Sequence, residues 1–127
     1  INKYKKQKKI QIYKNLDRQS FLNLLYNSSV IVGNSSCGII EAPSFKIPTI
    51  NIGNRQKDRP RATSIIDTDF KTKNIINSIN FAFKNMNFQK KLTKTKNIFF
   101  KNNSGYLICR TLNDILNKKL NFKIRKF

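Results

Sequence analysis

The apolar run Val30-Ile31-Val32 leads straight into Gly33-Asn34-Ser35-Ser36-Cys37-Gly38, after which the chain resumes as Ile39-Ile40-Glu41-Ala42-Pro43. A continuous apolar strand with no polar alternation fits a parallel sheet covered on both faces. The Gly/Asn/Ser turn that follows, and a helix predicted over 36–44, make a strand–turn–helix unit. Such a unit can hold a phosphate, because N–H groups at the helix start and the two serine hydroxyls face the same anion. Glu41 is the only glutamate in 127 residues. It falls five positions after Ser36, too far along for a capping box headed by that serine. A ribose diol is the partner that suits a carboxylate there.

The rest of the chain repeats this alternation. Lys9-Ile10-Gln11-Ile12-Tyr13 alternates like a short strand. Asp17 or Ser20 then opens a helix with Phe21, Leu24 and Leu25 on one face, ending near Asn27. Pro48-Thr49-Ile50-Asn51-Ile52 reads as a strand with proline at its first position, where a missing N–H is tolerated. A polar loop over 53–63 carries Arg55, and Ser64-Ile65-Ile66 is a further short strand. Beyond Asp69, Ile75, Ile76, Ile79, Phe83 and Met86 recur at helical spacing, as a core stripe would. A helix over 88–96, a loop over 97–105 and a last helix carrying Leu107, Ile108, Leu112, Ile115 and Leu116 complete the order, and residues 118–127 form a basic tail. Strands alternating with helices over short connections define an α/β, Rossmann-like parallel sheet. Ligands of such sheets lie beyond the carboxyl ends of the strands. The loops after Val32 and after Ile52 are both expected there, converging on one ligand.

Composition bounds the chemistry. The net charge is +20, from 26 Lys and Arg against 6 Asp and Glu. That balance is the usual footprint of a nucleic-acid or anionic-membrane partner. Here, however, 20 of the cations are Lys, arriving with 18 Asn and 18 Ile spread along the whole chain. A nucleic-acid groove would interleave Arg and aromatics on one patch, so the charge is read as a solvated surface, with Lys3–Lys9 its one concentrated block. No run reaches the ~18 apolar residues of a membrane helix, and no signal peptide opens the chain. Cys37 and Cys109 are 72 positions apart and match no metal or redox spacing, which fits free thiols in a reducing cytoplasm. The sequence contains no histidine, which removes the commonest general acid/base and metal ligand. With six carboxylates in all, no catalytic residue, metal site or cofactor is assigned. The chain starts at Ile1, without methionine, and is expected to be one domain that forms part of something longer.

The string Gly33-Asn34-Ser35-Ser36-Cys37-Gly38, then Glu41, then Pro48-Thr49-Ile50-Asn51-Ile52-Gly53-Asn54-Arg55-Gln56 resembles the hydrolysing UDP-N-acetylglucosamine 2-epimerases of bacterial sialic- and nonulosonic-acid pathways. The similarity starts near Ile10 and runs to Arg125-Lys126-Phe127. Paired motifs at this spacing are far more specific than a lone glycine loop. The resemblance implies the C-terminal domain of a glycosyltransferase-B-type fold, with the N-terminal domain absent from residues 1–127. It implies a UDP or UDP-N-acetylhexosamine ligand, with GDP-sugars among the relatives' substrates, and a homo-oligomer for the full enzyme. By the same resemblance Ser35 and Ser36 hold the diphosphate, with the N–H groups of Cys37 and Gly38. Glu41 accepts from the ribose hydroxyls, Arg55 meets the diphosphate charge, and the backbone at Leu16 lies beside the uracil. The acid/base groups belong to the absent part, so residues 1–127 alone are expected to be inactive.

Two positions depart from the family pattern. Asp58 stands where glycine is usual in the Arg-Gln-x-Gly-Arg loop, where a β-carbon and a negative charge are expected to strain the turn or weaken the anion. Phe99-Phe100-Lys101-Asn102-Asn103 replaces the usual Tyr-Gly-Asp-Gly. Three other readings compete: half of a nucleotide-sugar glycosyltransferase, a basic nucleic-acid-binding module, and a degenerate or truncated remnant with no activity. Glu41 separates them, since a nucleic-acid module would not need it, and the Asn54-Arg55-Gln56 loop disfavours the transferase.

Overall fold

A computed structural model describes residues 9–117. The basic block before Lys9 and the 118–127 tail lie outside the described residues. Three parallel strands form the sheet, in the order β1 (Ile31–Gly33), β2 (Thr49–Ile52), β3 (Ile65–Thr68). Ile31 pairs with Thr49 and Thr49 with Ile65, so Gly33, Asn51 and Asp67 stand side by side near the carboxyl ends. The chain is therefore α/β with a Rossmann-like parallel sheet. Backbone contacts divide it into two compact units, one through Asn97 and one from Ile98 onward.

Helix α1 (Arg18–Tyr26) opens on Asp17, whose carboxylate accepts from the Ser20 N–H at 2.9 Å. Its Leu25 packs with Ala42 and Ile47, flanked by Phe21, Ile31 and Phe45. A second cluster joins Ile50 of β2 to Ala82 of α3 (Thr72–Lys84) and to Phe88 and Leu92 of α4 (Met86–Thr93). Side chains alternate along a strand, so Ile50 faces α3 and α4 while Thr49 faces helix α2 (Cys37–Ile40), where its hydroxyl donates to the Gly38 carbonyl at 2.9 Å. In the second unit, α5 (Ser104–Leu116) starts after Asn103, which sits in the left-handed region at φ 62°, and buries no side chain.

Several expectations need correction. Residues 9–13 form no strand, since alternation alone supplies no hydrogen-bonding neighbour. The strand at Val30–Val32 shifts by one residue to Ile31–Gly33, and Val32 is 44% exposed, because among the described residues β1 is the edge of the sheet and not a doubly covered centre. The helix expected over 36–44 stops at Ile40 and continues as a 3-10 turn over Ala42–Phe45, because Pro43 has no N–H to extend the ladder. The stripe of α3 is out of phase with the reading. Ala82 is buried and Ile79 packs beside it, whereas Ile76, Phe83 and Met86 are exposed. Helix α4 ends at Thr93, not Lys96.

Candidate functional site

The site is built where β1 and β2 end. Gly33 closes β1 at φ 152°, a backbone region that glycine reaches readily and other residues rarely do. The chain then turns through Asn34 and Ser35 into α2. Ser36 occupies the cap position of α2 in helical geometry, and its side chain makes no capping bond. The commonest structural use of a serine there is therefore not the use made of it. Ser35 Oγ accepts from the Cys37 N–H at 3.4 Å, and the Ser35 carbonyl accepts from the Gly38 N–H at 3.3 Å. Both bonds are long, near the limit at which such contacts hold. Since α2 is a single turn of four residues, its dipole is short, and hydroxyls and a cation must carry most of an anion's binding.

Gly38 has a packing reason as well. A Cβ there would lie 2.5 Å from Thr49 Cγ2, so only glycine lets α2 approach β2 this closely.

Glu41 follows α2 at the junction with the 3-10 turn. It is half-buried, and its Oε2 is buried with no hydrogen-bond partner among the described residues. A buried carboxylate oxygen left unpartnered is costly, and this atom has acceptor capacity that no described residue uses.

The loop after β2 is bound to the serine turn. Gln56 Nε2 donates to the Asn34 carbonyl at 2.9 Å, and Arg55 Nη1 donates to the same oxygen at 3.4 Å. The two loops thus meet, as expected from the strand order. Behind them, Asp67 of β3 accepts from Asn51 Nδ2 at 2.6 Å and pairs with Arg61 Nε at 3.1 Å. Arg61 also donates to the Arg59 carbonyl at 2.6 Å, closing the loop on itself. Asp58 is exposed and does not take a positive φ; among the described non-glycine residues only Lys46 and Asn103 do. The expected turn strain at Asp58 is absent, because the backbone there does not need glycine.

Ser35 and Ser36 lie on the turn after β1, Cys37 and Gly38 in α2 and Glu41 at its end, and Arg55 on the loop after β2 that meets this turn at Asn34. Leu16 is half-buried, and lines a cleft of about 450 Å³ along α1 with Tyr13, Ser20, Asn23, Leu24 and Asn27. Sequence reasoning gave no role to Gln56 or to Asn51, Asp67 and Arg61. The signal available was Gln56's place beside Arg55, but its partner is a backbone carbonyl 22 positions away.

The fold is that of an open α/β domain, and its serine turn and arginine loop lie beyond the carboxyl ends of the strands, where such sheets bind their ligands. Residues 1–113 match the family described as UDP-N-acetylglucosamine 2-epimerase, and the chain belongs to that family. It is 36% identical over 101 residues to the polysialic acid biosynthesis protein P7 of Escherichia coli, covering 80% of this chain and 26% of that protein. It is 42% identical over 78 residues to a hydrolysing GDP/UDP-N,N'-diacetylbacillosamine 2-epimerase of Campylobacter jejuni, covering 61% and 19%. A UDP-N-acetylglucosamine 2-epimerase of Neisseria meningitidis is 50% identical over 62 residues, 49% of this chain and 16% of that enzyme. The matched regions span about a quarter or less of these relatives. Among the described residues, no helix is long and apolar enough to cross a membrane.

Proposed function

We propose that this chain is the UDP-binding part of a hydrolysing UDP-N-acetylglucosamine 2-epimerase, working in nonulosonic- or sialic-acid biosynthesis in the cytoplasm. The observation that carries the reading is the unpartnered, buried Glu41 Oε2 five residues after Ser36, with Arg55 reaching the Asn34 carbonyl of the serine turn at 3.4 Å. The Glu41 carboxylate accepts from the ribose hydroxyls. The Ser35 and Ser36 hydroxyls donate to the diphosphate, and the Arg55 guanidinium neutralises it. Cys37 and Gly38 add their N–H groups by exchanging their long bonds to Ser35 for phosphate oxygens.

In the reaction, a base removes the C2 proton of the sugar and the C1–O bond breaks, with the electron pair leaving on UDP. Water then adds at C1 of the resulting glycal, and a proton returns to C2 from the opposite face, giving N-acetylmannosamine. This chain's share is to stabilise the charge that gathers on the departing diphosphate. The proton-transfer groups belong to an N-terminal domain of a glycosyltransferase-B-type fold, and residues 1–127 alone are inactive. A 2,4-diacetamido sugar carried on UDP or GDP is the second reading, supported by the name of the Campylobacter relative.

The test is thermal unfolding of the chain at about 0.15 M salt, where loose polyanion binding is weakened, with UDP, GDP, pyrophosphate and a short RNA. The expected result is stabilisation by UDP beyond that by pyrophosphate, lost in Glu41→Ala. Equal stabilisation by all four polyanions, unaffected by that substitution, would refute the site.

A further inference from the structure

Gln56 is a buried polar side chain of the loop after β2, 3% exposed, and the proposed nucleotide site gives it no task. Its amide nitrogen donates at 2.9 Å to the Asn34 carbonyl, while its Oε1 is buried and has no partner among the described residues. Burying an amide with half its bonding capacity unused is unfavourable unless the bond it does make matters. That bond joins the loop after β2 to the turn after β1, one residue before Ser35. Arg55 reaches the same carbonyl oxygen from an exposed position at 3.4 Å, a length at which little binding remains. The carbonyl thus has one firm donor and one that a charged acceptor would easily draw away, because a charge-assisted bond to phosphate is roughly twice as strong as a neutral one.

We propose that Gln56 is the positioning residue of the diphosphate subsite. Its amide fixes the Asn34-Ser35-Ser36 turn against the arginine loop, so that both serine hydroxyls and the Arg55 guanidinium meet the same diphosphate. Arg55 is the movable member, exchanging the Asn34 carbonyl for a phosphate oxygen when the nucleotide arrives, and Gln56 keeps the turn in place as it leaves. Holding binding groups in register before the ligand comes is what lets them act together. This inference rests on the nucleotide reading, and it makes a finer demand: loss of Gln56 should harm diphosphate recognition and spare the nucleoside.

The experiment titrates the full 127-residue chain with UDP, pyrophosphate and uridine, followed by chemical-shift changes, in wild type, Gln56→Met and Gln56→Glu. Methionine has nearly the same length, donates no hydrogen bond and leaves no polar atom buried. Glutamate keeps the shape but sets an oxygen against the Asn34 carbonyl. We expect the dissociation constants for UDP and pyrophosphate to rise about tenfold in Gln56→Met, the scale of one lost hydrogen bond, and further in Gln56→Glu. The constant for uridine should move less than twofold in both. A merely structural glutamine would lower the melting temperature and weaken UDP and uridine alike, or change neither, and either pattern overturns the proposal. Should the wild-type chain itself fail to bind UDP, the nucleotide reading falls first and this inference with it. Unchanged UDP binding in both variants sinks the inference alone.

Discussion

Gly38 shows how one residue can answer to packing and to chemistry at once. From the sequence it offers an N–H beside a serine turn. In the fold that N–H is lightly engaged by the Ser35 carbonyl at 3.3 Å, and the missing side chain is what admits Thr49. Gly38→Ala would place its new carbon 2.5 Å from Thr49 Cγ2. The backbone of α2 must then move, at a cost of about 1–3 kcal/mol, the usual scale of overpacking. Thr49→Ser removes Cγ2 and keeps the hydroxyl that bonds the Gly38 carbonyl. The double variant should therefore recover more than half of the lost stability in urea unfolding, and no recovery would mean that the glycine is needed for some reason other than this contact. The turn that carries Ser35 and Ser36 and the short helix before Glu41 were legible in the sequence because they are local, whereas Arg55 was singled out by the resemblance alone. Gln56 was not legible, nor was the Asn51–Asp67–Arg61 chain. Gln56 and Asn51 act on partners brought near by strand pairing, and neither composition nor periodicity encodes that neighbour.

Among the elements, Asp17 caps α1 as expected, β2 starts at Thr49, one residue after the Pro48 expected to be its first position, and the loops after β1 and β2 converge. Two chemical signals were underused: Pro43, where the expected 36–44 helix breaks, and Asn85, whose side chain caps α4. Other errors fell where only a pattern was available. The alternation over 9–13 had no partner strand, and the phase of α3 was set by its large apolar residues, although the buried position is the small Ala82. Asp17 also links α1 to pH. Its carboxylate is held below the ordinary value of 3.8, mainly by the hydrogen bond to Ser20. A folded-state value below the unfolded one stabilises the fold fully above the unfolded value, and that contribution is lost as pH falls through the lower, folded value. Asparagine caps equally well and does not titrate. The stability of wild type relative to Asp17→Asn should therefore be highest near neutrality and shrink below about pH 4. A constant difference from pH 6 to pH 2 would show that the cap charge contributes nothing.

Over the whole molecule the dominant fact is charge, and its consequence is for stability before it is for binding. Twenty-six cations face six carboxylates, and Arg61–Asp67 is the one ion pair among the described residues. A chain so unbalanced repels itself when compact, with few attractive pairs to offset the repulsion. The screening length falls from about 30 Å at 0.01 M salt to about 8 Å at 0.15 M. Added sodium chloride should therefore raise the melting temperature by several degrees, since relief of about 1 kcal/mol is worth roughly 2–8 °C in domains near this size. A surface held together by ion pairs would respond in the opposite sense. The same titration separates charge from recognition. Stabilisation by pyrophosphate should fade as salt rises, because it draws on the general positive field. The additional stabilisation by UDP over pyrophosphate should survive, because the proposed contact of ribose hydroxyls with Glu41 is partly buried, where screening reaches less. If that surplus fades in step with the pyrophosphate effect, the binding belongs to the +20 field and not to the site.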